Sequence, residues 1–410
     1  MTGRDPGPIS ARGSLLWLYV PTLALSVAQG MVLPAIPRLA DAFAVSAGTA
    51  GQVVTAFAAG RMAILFPAGL LVDALGARVV LLLGSTLALA GALSVASSPW
   101  FFGILLGQFL AGAGASLWTL GREAAGLQQV AADRRGRLLS AFFGLQMAGT
   151  ALGPLVAGVV VDRAGLRSAL WLPAGVAAAV WVVTVVSHEG WAERAGGARP
   201  AVREALRGIP EEFRLAFRVV TFATFVLTMY RTSLNALWPV YVGAELGYPA
   251  AAVGALFGIV SALILAMIPT AGYVLDRVGR KWGAVPACLV PAVAFGLMPL
   301  ARTLPQLGVL AALLGLAGGL SLGAMSALSY DIIPEEARGR LQAMRRLVGE
   351  LGGLVGPFAA GVATDWGGAG TAFLLYTPLL LAAGLLLAFA VPESLQAPRR
   401  AGRLRAEEGR

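Results

Sequence analysis

Residues 135–162, RGRLLSAFFGLQMAGTALGPLVAGVVVD, are repeated 203 positions later in residues 338–365 as RGRLQAMRRLVGELGGLVGPFAAGVATD. Eleven of these 28 positions are identical. The same ungapped offset also aligns a second motif, in which Gly69, Asp73 and Gly76 fall on Gly272, Asp276 and Gly279. A single register that covers two distant segments predicts a chain of two halves with the same build and the same orientation.

The composition of the chain excludes a soluble protein. Of its 410 residues 58% are apolar and 13% are charged, and the mean hydropathy is +0.77. Soluble domains are about 45–50% apolar and about 25% charged. One cysteine and one histidine exclude a disulfide framework and a metal site built from several His or Cys ligands. We therefore expect no metal and no cofactor.

Apolar stretches of about 20 residues, the length that a helix needs to cross a bilayer, occur twelve times along the chain. We number them spans 1 to 12, near residues 14–37, 49–72, 79–98, 100–121, 138–161, 168–187, 216–241, 250–275, 283–301, 306–330, 344–363 and 371–391. No stretch alternates strictly between polar and apolar residues as the strands of an outer-membrane barrel do. The sequence predicts an all-α membrane protein with twelve transmembrane helices in two pseudo-symmetric six-helix bundles.

The spans and the repeat together divide the chain into four segments. We expect an N-terminal six-helix bundle over residues 1–187 and a cytoplasmic central loop over 188–215. A C-terminal six-helix bundle is expected over residues 216–391, followed by a cytoplasmic tail over 392–410.

The basic charges predict how the chain lies in the membrane. The net charge is +10, and 25 of the 31 lysines and arginines fall in the loops and tails of one side. Because basic loops stay on the cytoplasmic side, both termini and the central loop are expected in the cytoplasm of a bacterial cell, with the protein in its cytoplasmic membrane. The position of the basic residues in cytoplasmic loops then explains the positive net charge, so no nucleic-acid partner is expected. The expected partners are the lipid bilayer and a small-molecule substrate, and a monomer is expected.

Polar side chains inside the spans predict the walls of a cavity, because such residues are costly in lipid and usually face water or each other. They recur on one helical face of spans 1, 4, 7 and 10. The candidates are Tyr19, Thr22, Ser26 and Gln29; Gln108, Thr119 and Arg122; Thr228, Arg231, Asn235 and Trp238; and Ser321 and Met325. Hydroxyl side chains often bond only to their own helix, which is the alternative for the serines and threonines.

Two arginines lie near the middle of their spans, about 15 Å from either surface at a rise of 1.5 Å per residue. These are Arg61 and Arg231, and each is expected to meet water, an acid or an anionic substrate. Arg231 belongs to the polar face of span 7. Arg61 has apolar neighbours on its own face, so a structural pair between helices is the alternative for Arg61.

Two acids are candidates for proton coupling, which requires a carboxylate that gains and loses a proton as a cavity opens. Glu350 lies in span 11 and Glu123 at the end of span 4. Arg346 precedes Glu350 by four residues, and Arg122 is adjacent to Glu123. An ion pair with that arginine, of the kind that neighbouring helical positions form, is the alternative for each acid.

Two kinds of motif predict conformational gating. The first occupies the short loops after spans 2 and 8, where a glycine is needed for the turn and where charges can form contacts that break in another conformation. Its residues are Gly69, Asp73, Gly76 and Arg78, with the second copy Gly272, Asp276, Arg277, Gly279 and Arg280. The second kind lies in span 5, where small residues allow close helix approach and a proline kinks the helix. Its residues are Gly149, Gly153, Pro154 and Gly158.

These motifs resemble those of the major facilitator superfamily over nearly the whole chain. The pattern G-x-L-x-D-x-x-G-x-R after span 2 matches Gly69 to Arg78, with Ala74 and Ala77 at two usually basic positions. The pattern G-x-x-x-G-P-x-x-G-G matches span 5 from Gly149 to Gly158, with Ala157 in place of one glycine, and in that family it is associated with proton-driven exporters. The arginine expected in the span 4 pattern is Gln108 here, which leaves the coupling ion open between a proton and another ion.

The resemblance implies a secondary transporter that works by alternating access, as internal repeats also indicate. Proton-coupled efflux of small amphipathic compounds is the leading interpretation. The alternative is an importer or symporter of an organic anion that uses Arg231 and Arg61. A membrane enzyme would need clustered catalytic groups at one face, and the sequence contains none, so no enzymatic activity is expected.

Overall fold

The computed structural model describes residues 11–129, 135–186, 211–333 and 338–393. Every regular element within these ranges is helical. The helices coincide with the apolar stretches of the sequence, because in lipid each backbone N–H and C=O must find its partner within the segment.

In the first half of the chain, two long helices each contain two of the expected spans. The helices are Ala11–Met31 and Ile36–Phe43, joined by a short turn at Leu33–Ala35; Ala47–Ser97; Phe101–Gln129; and Arg135–Val186. The second and the fourth of these segments are broken at Gly76 and Gly165, each with a φ of 82°. Only glycine adopts such a backbone without strain, so these residues separate span 2 from span 3 and span 5 from span 6.

The second half contains more breaks within its spans. Its helices and turns are Glu211–Pro239 with Val240–Glu245; Ala250–Ala266, Ile268–Tyr273 and Val274–Val278; Arg280–Ala284, Pro286–Leu297 and Met298–Leu300; Leu304–Leu320 and Ala324–Ile332; Arg338–Gly367; and Ala369–Ala372, Phe373–Leu375 and Tyr376–Ala390. These six groups correspond to spans 7 to 12.

Eight of the described helical segments are long and apolar enough to cross a membrane. A ninth is added if Ala250–Ala266 and Ile268–Val278, which meet at a bend of 43°, form one span. Four of the eight segments begin inside longer helices: Trp17–Phe43, Ala74–Ser97, Gly144–Val186 and Leu341–Gly367. Gly144–Val186 includes most of span 5 and nearly all of span 6. The chain is an all-α, multi-pass membrane protein.

The described residues form two compact units. Unit 1 contains those of Met1–Val45, Ala56–Ala198 and Pro249–Ala255. Unit 2 contains those of Ser46–Thr55, Arg199–Tyr248 and Leu256–Arg410. Each unit therefore includes a short piece of a span from the other half of the chain.

The same helix contact recurs in both units, where span 5 meets span 1 and span 11 meets span 7. A Cβ atom at Gly153 would lie 2.9 Å from the Cα atom of Gly30, and one at Gly356 would lie 2.5 Å from the carbonyl oxygen of Met229. Any side chain at either position would push the two backbones apart. Close approach of this kind is what small residues allow in membrane helices.

A carboxylate at the end of the same two spans caps a helix in each unit. In unit 1 the Asp162 carboxylate accepts hydrogen bonds from the backbone N–H groups of Ala250 (3.1 Å) and Ala251 (2.7 Å). In unit 2 the Asp365 carboxylate accepts one from the N–H group of Gly48 (3.0 Å). The first N–H groups of a helix have no partner within it, so these carboxylates fix the first turns of spans 8 and 2.

Candidate functional site

Arg231 on span 7 reaches span 10 within unit 2. Its guanidinium donates to the carbonyl oxygen of Gly318 (3.4 Å) and, in a short contact, to the hydroxyl of Ser321. The Ser321 hydroxyl donates in turn to the carbonyl oxygen of Gly318 at 2.7 Å. The structure thus brings together two of the residues that the sequence predicts for a cavity. Both acceptors of Arg231 are uncharged, and its side chain remains exposed.

The other candidates on spans 7 and 10 lie in different surroundings. The Thr228 hydroxyl bonds to its own helix at the carbonyl oxygen of Thr224 (2.9 Å), as threonines in helices often do. Asn235 is half-buried and Met325 is buried. Trp238 is 0% exposed, so its ring lies in the core of unit 2 rather than on an open face.

A buried cluster at the start of span 11 was not predicted from the sequence. The Arg345 side chain is 5% exposed. Its guanidinium donates to the Oε1 atom of Gln342 (3.0 Å) and to the hydroxyls of Thr224 (3.1 Å) and Ser326 (3.2 Å). The Gln342 amide donates to the Ser329 hydroxyl at 2.7 Å. These hydrogen bonds tie spans 7, 10 and 11 together around a buried cation.

In unit 1 a buried arginine comes from span 4 instead. Arg122 is 3% exposed, and its guanidinium donates to the Oε1 atom of Gln146 at 3.1 Å. It also lies 5.0 Å from the ring centroid of Phe142, a distance at which a cation is attracted by an aromatic face. The Tyr19 ring packs edge-on against the same phenylalanine, with 5.3 Å between centroids. Arg122 and Tyr19, both predicted cavity residues, therefore share one aromatic neighbour.

The two hydroxyl residues predicted on span 1 bond to their own helix. The Thr22 hydroxyl donates to the carbonyl oxygen of Leu18 (2.6 Å), and the Ser26 hydroxyl donates to that of Thr22 (2.8 Å). Both side chains are buried. Thr119 on span 4 is half-buried.

A pocket opens within unit 1 between spans 1, 2, 3, 4 and 6. It encloses about 520 Å³ when the space at its open side is included. Its polar side chains are Gln29 and Gln108, both predicted from the sequence, and the rest of its lining is apolar. Gln108 is 7% exposed and Gln29 is half-buried. The structure thus brings these two amides to one cavity.

The remaining arginine and the two acids are all engaged with other groups. Arg61 is half-buried on span 2, and its backbone carbonyl accepts a hydrogen bond from the Ser116 hydroxyl at 3.0 Å. Glu123 and Glu350 are half-buried. Each of the three residues takes part in a further interaction within the protein.

The loop motifs have a different structure in the two units. In unit 1, Gly76 forms the turn and Arg78 is exposed, while the surroundings of Gly69 and the side chain of Asp73 lie outside what the structure describes. In unit 2, Arg280 follows the turn at Gly279, whose φ is 154°.

The guanidinium of Arg280 links the loop of unit 2 to other parts of that unit. It lies 3.1 Å from the Asp276 carboxylate and 3.3 Å from the Asp331 carboxylate at the end of span 10. The Glu393 carboxylate accepts hydrogen bonds from the backbone N–H groups of Arg280 (2.9 Å) and Lys281 (3.1 Å). Gly272 and Arg277 are exposed and make no contact in this cluster.

These elements define a class of protein: a multi-pass helical membrane protein with an internal repeat and polar groups held between its spans, which is the build of a secondary transporter. The model of the Major Facilitator Superfamily matches the chain twice, over residues 18–228 and 220–408. The protein belongs to this family. It is a transporter and not an enzyme.

Curated relatives carry the names of multidrug resistance proteins. The chain is 25% identical to multidrug resistance protein MdtG of Enterobacter lignolyticus over 381 residues, which covers 88% of each protein. It is 28% identical to multidrug resistance protein MdtH of Cronobacter sakazakii over 320 residues, or 76% of this chain and 75% of the relative.

Solved structures show the same fold at low identity. A D-xylose–proton symporter matches with a TM-score of 0.74 and 16% identity over 94% of this chain and 99% of the symporter. A POT family transporter in complex with 5-aminolevulinic acid matches with a TM-score of 0.76 and 13% identity over 93% of this chain and 96% of the transporter.

Proposed function

We propose that this protein exports small amphipathic compounds across the bacterial inner membrane by alternating access, in exchange for protons. The observation that carries the proposal is the match to multidrug resistance protein MdtG over 88% of both chains. The association of the span 5 motif with proton-driven exporters supports the direction of transport. The positive loops support cytoplasmic termini, and we propose that a monomer is the working unit.

The substrate cavity is proposed to include the polar side chains of spans 1, 4, 7 and 10, and Arg231 with Ser321 is its best-supported part. Arg231 is exposed near the middle of span 7, and if this span crosses the bilayer, an unshielded guanidinium there is costly unless it faces water or a ligand. This argument favours an aqueous surface around Arg231.

Export is tested by dye retention in a bacterial strain that lacks its own multidrug pumps. Expression of the protein is expected to lower the retained ethidium, and a protonophore is expected to restore it. Unchanged retention at confirmed membrane expression, for ethidium and for a panel of other amphipathic cations, would contradict the proposal.

We propose Glu350 as the proton-coupling group, with Glu123 as the other candidate, because both are half-buried carboxylates at spans. In liposomes that contain a pH dye, Glu350→Gln is expected to abolish substrate-evoked proton flux. Exchange of substrate for substrate, which needs no net proton transfer, should persist. If Glu350→Gln keeps full proton flux, the same assay on Glu123→Gln decides the other assignment.

The second candidate function is uptake of an organic anion, and one observation favours it. Both described hydrogen-bond acceptors of Arg231 are uncharged, so its positive charge is available to an anionic ligand. In the same liposomes, this function predicts proton flux with organic anions only, and loss of that flux in Arg231→Ala. The matched control is Arg38→Ala, since Arg38 is also exposed but lies near the end of span 1.

A further inference from the structure

The pocket inside unit 1 has a lining with no charged side chain. Thirteen residues line it, of which six are alanines and two are the amides Gln29 and Gln108. Alanines on spans 1, 3, 4 and 6 leave the space that larger residues would fill. Spans 3 and 6 contribute Ala92 and Ala177 to the walls, so the pocket reaches beyond the polar residues of spans 1 and 4.

The two amides lack hydrogen-bond partners within the described ranges of the chain. Gln108 is more than nine-tenths buried, yet its amide group makes no hydrogen bond to a described residue, and the same holds for Gln29. Both amides line the pocket, so their hydrogen-bonding groups are open to a molecule that enters it. An amide carries both a donor and an acceptor, so a ligand with a carbonyl or a hydroxyl group would satisfy it.

The repeat explains why the space exists. Gly153 faces the carbonyl oxygen of Val27, and its equivalent Gly356 faces that of Met229, so spans 1 and 7 are related by an offset of 202 residues. Gln29 of unit 1 therefore corresponds to Arg231 of unit 2, and Ala115 corresponds to Gly318 at the offset of 203 residues. In unit 2 the guanidinium crosses from span 7 to the carbonyl oxygen of Gly318. In unit 1 the side chain at this place is that of Gln29, which is shorter than an arginine and lines the pocket together with Ala115.

We propose that this pocket binds an uncharged aromatic or alicyclic group that carries a carbonyl or hydroxyl, with Gln108 as the residue that selects it. The proposal rests on the proposed function, since it names the class of compound that the transporter accepts at this place. A cationic group would enter an apolar site with no carboxylate in its lining, which is unfavourable. Compounds whose buried portion is neutral are therefore expected to bind here in preference to permanent cations.

The test measures binding of two radiolabelled probes to the purified full-length protein by scintillation proximity. Chloramphenicol is an uncharged aromatic compound with an amide and hydroxyl groups, and tetraphenylphosphonium is a permanent apolar cation without hydrogen-bonding groups. Gln108→Leu keeps the size of the side chain and removes its hydrogen bonds. It is expected to weaken chloramphenicol binding about three- to tenfold, the range of one net hydrogen bond, and to leave tetraphenylphosphonium binding unchanged.

A second variant places a larger side chain on span 6, which forms one wall of the pocket. Ala177→Leu is expected to weaken chloramphenicol binding by more than about tenfold, because a bulkier side chain occupies the space that a ligand would use. Ala179→Leu is the matched control, since Ala179 is exposed on the same span, and it should bind chloramphenicol as the unmodified protein does. Elution as a single peak from size exclusion confirms that each variant folds.

Three results would overturn the proposal. The first is equal chloramphenicol binding in folded Gln108→Leu, folded Ala177→Leu and the unmodified protein. The second is an equal loss of tetraphenylphosphonium binding in these variants, and the third is an equal loss of chloramphenicol binding in Ala179→Leu. Failure of the proposed function is distinguishable, because it is read from ethidium retention in cells and not from probe binding.

Discussion

At the place where unit 2 carries Arg231, unit 1 carries Gln29, and the side chains around this position differ in chemistry between the two halves of the repeat. In unit 2 a guanidinium spans the gap between two helices and meets Gly318 and Ser321. In unit 1 the corresponding region is a mainly apolar pocket that contains the amides of Gln29 and Gln108. One backbone arrangement thus holds a cation in one half and a neutral cavity in the other.

The difference shows which features of the repeat are constrained by packing. Gly153 and Gly356 lie at equivalent positions and both sit against a neighbouring backbone. Because a backbone contact cannot adapt to a larger residue, these positions are restricted in both halves. Side chains that face a cavity meet no such restriction, so their chemistry is free to diverge.

The largest expected effect tests whether the close helix contact is shared. Gly153→Val and Gly356→Val are each expected to lower the free energy of unfolding by about 3 kcal/mol or more, at the upper end of what overpacking costs. The measurement is the midpoint of heat-induced loss of the monodisperse peak in detergent. The midpoint temperatures of the two variants are expected to fall by similar amounts.

The control for this pair lies on the same helix as Gly153. A Cβ atom at Gly144 would meet nothing within 4 Å, so Gly144→Val is expected to change the free energy of unfolding by less than about 0.5 kcal/mol. Tolerance of a valine at 356 but not at 153 would break the comparison, because the contact would then be essential in one half only.

A smaller effect on the free energy of unfolding is expected from replacing the two buried arginines, which lie on different helices in the two units. Arg345 makes three side-chain hydrogen bonds, whereas Arg122 makes one to Gln146 and has an Nε atom without a partner. Removal of Arg345 leaves the buried Gln342 side chain without this partner and also removes the hydrogen bonds to Thr224 and Ser326, and an unsatisfied buried group is costly. We expect Arg345→Met to cost about 2–3 kcal/mol of unfolding free energy and Arg122→Met less than about 1 kcal/mol.

The same thermal assay compares these variants with Arg218→Met, in which an exposed arginine on span 7 is lost and little change is expected. Equal destabilisation by Arg345→Met and Arg122→Met would show that hydrogen-bond number does not set the stability of the two clusters. The difference between the units would then need another cause, such as the aromatic contact of Arg122.

The sequence predicted the elements of this fold because its strongest signals are long and periodic. Twenty-residue apolar runs and an ungapped repeat depend on no particular contact, and the turn at Gly76 follows from a residue type that alone adopts positive φ without strain. The sequence placed Gln29 and Gln108 on the polar faces of two different spans, but it did not predict that both line the same pocket.

The rest depended on packing between distant segments. Arg345 lies in a basic stretch that is typical of a cytoplasmic loop, and nothing in its neighbours reveals that Thr224 and Ser326 surround it. Trp238 continues the helical spacing of a polar face, yet its ring packs at 6.1 Å from that of Phe257 in the core. The spacing of residues in the sequence shows which of them share one face of a helix. Whether that face lines a cavity or is buried depends on the helices packed against it.

The smallest expected effect concerns the two helix caps. It extends the comparison of the two units to the C-terminal ends of spans 5 and 11, where the capping carboxylates lie. Asp162 and Asp365 are equivalent in the repeat, but the first caps two N–H groups and the second caps one. A capping carboxylate contributes about 0.5–2 kcal/mol. Asp162→Ala is therefore expected to lower the unfolding free energy by about 1–2 kcal/mol, and Asp365→Ala by about 0.5–1 kcal/mol.

Asparagine at either position separates hydrogen bonding from charge. An asparagine side chain still accepts from a backbone N–H, so Asp162→Asn should recover most of the lost stability, and the remaining deficit should shrink at high salt because the attraction between the carboxylate and the helix terminus is screened. Hydrogen exchange of the first turn of span 8 gives a local reading of the same contact. Faster exchange at residues 250 and 251 in Asp162→Ala, with no change in Asp162→Asn, would locate the stabilisation in the hydrogen bonds themselves. Equal exchange in both variants and in the unmodified protein would mean that the neighbouring helices hold this turn without the cap.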